Sequence, residues 1–162
     1  MMFSFRSLRA ATTVMALATL AACSKKDDAT PTPTPAATTG VTYTVDGATV
    51  TATTAGATVL GNQVVVSGVS GTGTANKGVL LTLPKSTGTY TLSATSNEEA
   101  SYLASGNSSD IYDSTSGTIV VTTYSASTTS GASNIAGTFT FTGKNSAGAT
   151  KTVTNGTFNV KY

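Results

Sequence analysis

Gly137-Thr138-Phe139-Thr140-Phe141-Thr142-Gly143 decides the fold class of this chain. Its large apolar residues fall two apart with threonine between them, and a β-strand sends alternate side chains to opposite faces. Phe139 and Phe141 therefore share one face, and Thr140 looks the other way. The same opening recurs at Gly88-Thr89-Tyr90-Thr91-Leu92, Gly117-Thr118-Ile119-Val120-Val121 and Gly156-Thr157-Phe158-Asn159-Val160. One dry face and one wet face in each predict antiparallel strands whose apolar sides pack together. The spacing between these glycines is too uneven for a solenoid repeat.

Working outward, further strands are predicted at 41–46, 48–54, 63–68 and 78–83. Asp46-Gly47 between the first two is a tight hairpin signal. Gly71-Thr72-Gly73 and Ser146-Ala147-Gly148 mark other turns. Val153 and Phe158 have opposite parity, with Asn155-Gly156 between them, so a bulge or turn is needed there to bring both to the inward face. Residues 98–105 read equally as a short helix or a strand. No window sustains a 3.6-residue apolar period, and the Gly, Ser and Thr punctuation is too dense for long helices. The expectation is an all-β domain over residues 41–162, an antiparallel β-sandwich or β-barrel-like fold of about eight or nine short strands. The chain ends on Tyr162, as outer-membrane barrels often end on an aromatic residue. Transmembrane strands need ~9–11 residues with an apolar outer band, and these outer faces are threonine and serine over short runs, which argues against a membrane barrel.

The N-terminal region reads differently. Residues 1–9 carry Arg6 and Arg9 and no acid, and residues 10–22 are an apolar run too short for the roughly 20 residues of a spanning helix. Leu20-Ala21-Ala22-Cys23 resembles the lipobox of bacterial lipoproteins. That resemblance implies a cleaved signal peptide, 1–22, a diacylglyceryl group on the Cys23 thiol, and palmitate or a similar chain on the new amine. Several acyl chains give a lasting membrane anchor where one would be marginal. Lys25-Lys26-Asp27-Asp28 looks like the export signal of surface-exposed lipoproteins in Bacteroidota, and implies an outer-membrane protein exposed at the cell surface. Residues 23–40 form the expected linker, a disordered Thr/Pro segment holding Pro31, Pro33 and Pro35, three of the four prolines of the chain. Thr-Pro alternation favours extended polyproline-like backbone, and its twelve residues from 29 to 40 reach about 35–40 Å at ~3.1 Å each.

Charge and side-chain chemistry narrow the function classes. Once Arg6 and Arg9 leave with the signal peptide, Lys25, Lys26, Lys77, Lys85, Lys144, Lys151 and Lys161 balance Asp27, Asp28, Asp46, Glu98, Glu99, Asp110 and Asp113. With no basic cluster, nucleic acid is not an expected partner. The single cysteine is taken by lipid, so the domain has no disulfide, thiolate nucleophile or cysteine ligand. Histidine, the usual base near neutral pH and the commonest metal ligand, is missing from the whole sequence. No serine sits in a Gly-x-Ser-x-Gly elbow. A glycosidase needs two facing carboxyls about 5–10 Å apart, whereas the adjacent Glu98 and Glu99 point apart and read as part of a solvated loop, and Asp46 belongs to its turn. No catalytic residue and no cofactor is assigned, and the chain is read as a non-enzyme.

Asn107-Ser108-Ser109-Asp110-Ile111-Tyr112-Asp113 is the one acidic, oxygen-rich loop. Asn107, Asp110 and Asp113 are its calcium candidates, although the EF-hand spacing and terminal glutamate are lacking and Asp serving turns is the plainer reading. Asp113-Ser114-Thr115 looks like an O-glycosylation acceptor of Bacteroidota, with Ser114 as the site. Tyr43 and Tyr90 are expected to be half-buried with hydroxyls at the rim. Tyr112, placed in the loop, is freer to contact a ligand. The expected role is a binding or structural module. Its partners are the membrane, through the lipid anchor, and a glycan or protein ligand. A carbohydrate-binding accessory lipoprotein is the alternative, weakened by the lack of tryptophan, and a hydrolase with an unrecognised site is more remote.

The overall layout resembles an uncharacterised family of small Bacteroidota surface lipoproteins. The shared points are the lipobox, the segment from Val41 to Gly47, Gly88-Thr89-Tyr90-Thr91-Leu92, Ala100 to Tyr102, and the closing segments 137–145 and 155–162. The resemblance covers most of residues 41–162. It implies fold and address only, because the family has no assigned activity.

Overall fold

The computed structural model describes residues 39–162. The expected signal peptide 1–22, the expected lipidation site Cys23, the run Lys25, Lys26, Asp27 and Asp28, and the expected linker up to residue 38 lie outside the described residues. The rest forms ten antiparallel strands: β1 (Gly40–Val45), β2 (Ala48–Thr51), β3 (Thr54–Leu60), β4 (Gln63–Ser70), β5 (Lys77–Pro84), β6 (Gly88–Ser93), β7 (Glu99–Leu103), β8 (Ile111–Ser125), β9 (Asn134–Lys144) and β10 (Thr150–Lys161). The only helical pieces among the described residues are two single 3₁₀ turns, Gly73–Ala75 and Ser108–Asp110. The domain is all-β, as the alternation predicts.

One sheet runs in the order β2-β1-β10-β9-β8-β7-β5-β4-β3, with β6 laid beside the middle of β8. Its two ends, β2 and β3, are consecutive in the chain and separated by Ala52 and Thr53 alone. The Ala52 N–H donates to the Val41 carbonyl at 2.9 Å, and the Thr53 N–H to the Val69 carbonyl at 2.8 Å. These bonds tie the corner to β1 on one side and β4 on the other, so the sheet must roll and its two ends are drawn towards each other. It curls into a half-barrel. Of the two architectures open from sequence, the barrel-like one is realised and the two-sheet sandwich is not. The pairings β1–β10–β9–β8 continue without a break, so strand twist accumulates into curvature within one sheet.

The inward face is the one the alternation marks. Phe139, Phe141, Ile119, Val121, Phe158, Val160 and Leu92 are all buried, and Thr140 is exposed. The parity conflict in β10 is resolved by a bulge: the β9–β10 register shifts between Val153 and Gly156, and Asn155 takes a φ of 51°. Val153 and Phe158 are thereby both buried. Asp46 and Gly47 have φ of 51° and 78°, the paired left-handed conformations of a tight hairpin turn.

The recurring glycines have a packing reason. Gly117 lies opposite Phe141, Gly137 opposite Phe158, and Gly156 opposite Phe139 on neighbouring strands. A Cβ on Gly156 would stand 2.5 Å from the Phe139 ring, and one on Gly137 would stand 2.0 Å from the Val120 carbonyl oxygen. Each glycine leaves the floor on which a ring from the next strand lies. The rings of Phe139 and Phe158 consequently approach to 6.4 Å between centroids.

Several boundaries differ from the sequence reading. Residues 98–105 contain strand β7, with no helix, and Glu99 belongs to it, so the solvated-loop reading fails for this residue. β3 was not anticipated as an element of its own; its small residues Ala55, Gly56 and Ala57 give little apolar contrast. β8 is 15 residues long, and it starts at Ile111, inside what read as a loop.

Candidate functional site: a fork in the sheet

β8 serves two neighbours along one edge. Its first residues pair with β7 (Ile111 with Leu103, Tyr112 with Tyr102, Asp113 with Ser101), and from Ser116 onward it pairs with β6. β6 and β7 therefore part around residues 114–115, and the register with β9 slips between Ser114 and Ser116 at the same level. A cavity of about 250 Å³ opens at this fork, lined by Ser93, Ala94, Ser96, Glu99, Ala100, Ser101, Asp113 and Ser114.

Hydrogen bonds hold its walls. The Ser114 hydroxyl accepts the Ala100 N–H at 3.1 Å, replacing a ladder bond where the strands diverge. Ser101 donates to Asp113 Oδ1 at 2.8 Å. Ser96 Oγ bridges the carbonyls of Ser93 and Glu98 at 3.0 and 2.8 Å. The Glu99 side chain is exposed and makes no hydrogen bond or ion pair among the described residues. On β9, Lys144 is the register neighbour of Asp113. The lining is therefore hydroxyl and carboxylate, suited to accepting hydrogen bonds from hydroxyl or amine donors.

A family model described as Domain of unknown function (DUF6252) matches residues 37–160. The chain belongs to the DUF6252 family. No curated protein and no solved structure matches it. The matched residues of this DUF6252 domain include every side chain of the fork.

The structure redistributes the residues singled out from sequence. Tyr112 is not a free loop tyrosine: it is in β8, buried, with its ring 6.1 Å from that of Tyr102. The sequence signal is misleading because Asn, Ser and Asp surround it, while its pairing with Tyr102 is made by the preceding strand, β7, whose extent the sequence leaves open. Ser114 is likewise withdrawn from the surface, with a relative exposure of 9% and a hydroxyl that accepts the Ala100 N–H. The three calcium candidates are engaged with serines rather than with a common centre. Asp110 accepts from Ser105, whose hydroxyl oxygen also accepts from Asn107 Nδ2 at 3.3 Å, while Asp113 accepts from Ser101 on the neighbouring strand. Among the described residues, no group of three or more His, Cys, Asp or Glu side chains gathers for a metal ion.

Tyr43 also departs from its expected place. It is 1% exposed, its ring stands edge-on to Tyr102 at 5.9 Å, and its hydroxyl is buried without a hydrogen-bond partner among the described residues. Burial pushes its hydroxyl pKa well above the usual tyrosine value. At one end of this tyrosine row Lys151 pairs with Asp46, and that bond raises the lysine pKa. Burial raises Tyr102 as well, with Lys151 pulling in the opposite direction.

Tyr43 is neutral when folded, and its folded pKa lies above the unfolded value of about 10, so its contribution is intact below that pH and is lost as pH rises beyond it. Tyr43→Phe should remove that loss and spare the desolvation of an unmatched hydroxyl, for a gain of about 1–3 kcal/mol near neutral pH. Urea titrations at pH 7 and above pH 10 check both halves. A variant less stable than wild type at pH 7 would show that the hydroxyl has a stabilising partner.

Proposed function

We propose that this DUF6252 chain is an outer-membrane lipoprotein displayed at the cell surface, as in Bacteroidota. Its half-barrel is a non-enzymatic binding module, with the fork cavity as the ligand site. The address rests on Leu20-Ala21-Ala22-Cys23 and the following Lys25-Lys26-Asp27-Asp28. The observation that carries the binding reading is the cavity lined by serines and by the carboxylates of Glu99 and Asp113. A cavity of about 250 Å³ is of the size of a small sugar or polyol, whose hydroxyls donate to carboxylates. With Tyr112 in the core and no tryptophan in the chain, ring stacking offers little, so recognition runs through hydrogen bonds.

Two experiments separate the parts of this reading. Cys23→Ala should abolish acylation and release the chain from membrane fractions; a processed, acylated product that still sediments with membranes contradicts the anchor. Replacing Lys26, Asp27 and Asp28 by alanine should keep acylation but shield the domain from protease added to whole cells. For the ligand, a saccharide array probed with the wild-type chain should give binding that Glu99→Gln and Asp113→Asn each weaken at least ~10-fold, the loss of about one charge-assisted hydrogen bond. Binding indifferent to both changes places the ligand elsewhere. No binding at all leaves a structural module.

A further inference from the structure

We propose that β3 pairs edge to edge, antiparallel, with the β3 of a second copy of this chain. β3 closes one end of the sheet path, and among the described residues no strand pairs with its outer edge. Free edges in natural sheets are guarded by lysine, proline, a bulge or brevity. β3 has none of these: it is seven residues long, carries no charge and no proline, and keeps an unbroken register with β4. By contrast β2, at the other end, has four residues. β3 also carries Val59 and Leu60, at 45% and 66% relative exposure.

A second copy is the fitting occupant because the strand is self-complementary. Thr54-Ala55-Gly56-Ala57-Thr58 reads the same in both directions. A two-fold axis through Gly56 sets Thr54 against the second copy's Thr58, Ala55 against its Ala57, and Gly56 against itself. An isologous interface requires this kind of patch. Threonine pairs are favourable cross-strand neighbours, and the small central residues let the backbones approach without collision. No charge is buried, since β3 holds none. A ribbon of seven residues is about 24 Å long and covers less than the ~1,200 Å² of a stable interface, so the expected complex is weak and reversible. The inference depends neither on the lipid anchor nor on the fork cavity.

Gly56 supplies the test. Its φ is not positive, and a Cβ there meets only Ser67 Oγ at 4.0 Å, so a side chain is accommodated without disturbing the fold. The purified full chain should show a sedimentation coefficient that rises with concentration from the micromolar range towards about millimolar. Gly56→Lys sets two cations face to face on the axis, and Gly56→Glu two anions. Each variant alone should associate at least ~10-fold more weakly than wild type, and an equimolar mixture of the two should recover or exceed wild-type association. That recovery also shows that neither variant is misfolded. A wild-type chain that remains monomeric throughout overturns the proposal and leaves the edge to a strand from another protein. Undiminished association of either variant, or a mixture no better than its components, overturns it equally.

Discussion

Phe139→Ala is expected to destabilise the domain by about 3–5 kcal/mol, the usual loss for a large aromatic removed from a packed core. Phe139 is 3% exposed, and its ring neighbours those of Tyr43, Phe141 and Phe158 at 6.4 Å in each case. It also covers the bare backbone of Gly156, so truncation opens a cavity bounded by glycine on one side. Thr140→Ala, one position along and on the outer face, loses one hydrogen bond to the Val153 carbonyl and should cost under ~1 kcal/mol. Urea midpoints of the two variants make the comparison. If Thr140→Ala proved the more damaging, the inward face assigned to β9 would be wrong.

Gly137→Ala should be nearly as severe although it adds a single methyl group. The new Cβ would fall 2.0 Å from the Val120 carbonyl oxygen and 2.7 Å from the Phe158 ring. The ring can turn aside, but the carbonyl belongs to a strand paired with β9 along most of its length. Relief requires separating the β8–β9 ladder, which puts the cost at the upper end of the usual overpacking range, about 3 kcal/mol. Gly56→Ala is the control, since its Cβ meets only Ser67 Oγ at 4.0 Å. It should be neutral or stabilising by a few tenths of a kcal/mol, through reduced freedom of the unfolded chain. Equal effects at the two positions would mean that the glycine–aromatic pairing has no steric role.

What was legible in the sequence is what large residues announce. Alternation around Phe139, Ile119 and Phe158 gave the strands and their inner face, and the parity conflict between Val153 and Phe158 located the bulge at Asn155. Asp46-Gly47 gave the first hairpin. The elements that escaped notice are those with little contrast or with distant partners. β3 is written in Ala, Gly and Thr, so no period stands out. The choice of one curled sheet over two stacked ones depends on which strands share edges, and local pattern carries no record of that. The fork is invisible for the same reason, because it exists only where β6 and β7 divide β8 between them. Tyr112 and Ser114 were misplaced because polar neighbours imitate a loop, whereas β7 supplies the cross-strand partners of both. The glycine pattern was seen but read as strand punctuation; its function under the aromatic rings appears only with the register.

The pairing of β1 with β10 sets where things can be attached to this domain. Gly40 lies beside Asn159 and Val45 beside Val153, so the chain enters and leaves the half-barrel at the same end. The β9–β10 turn, with the Asp46-Gly47 hairpin near it, lies at the opposite end, about 30 Å away along the strands. A few added residues could join Tyr162 to Gly40 and allow the chain to be reopened between Lys144 and Thr150, a circular permutation that keeps every strand pairing. A passenger peptide spliced into that same turn would ride at the end of the half-barrel away from Gly40, whereas one fused after Tyr162 would sit at the end that carries Gly40.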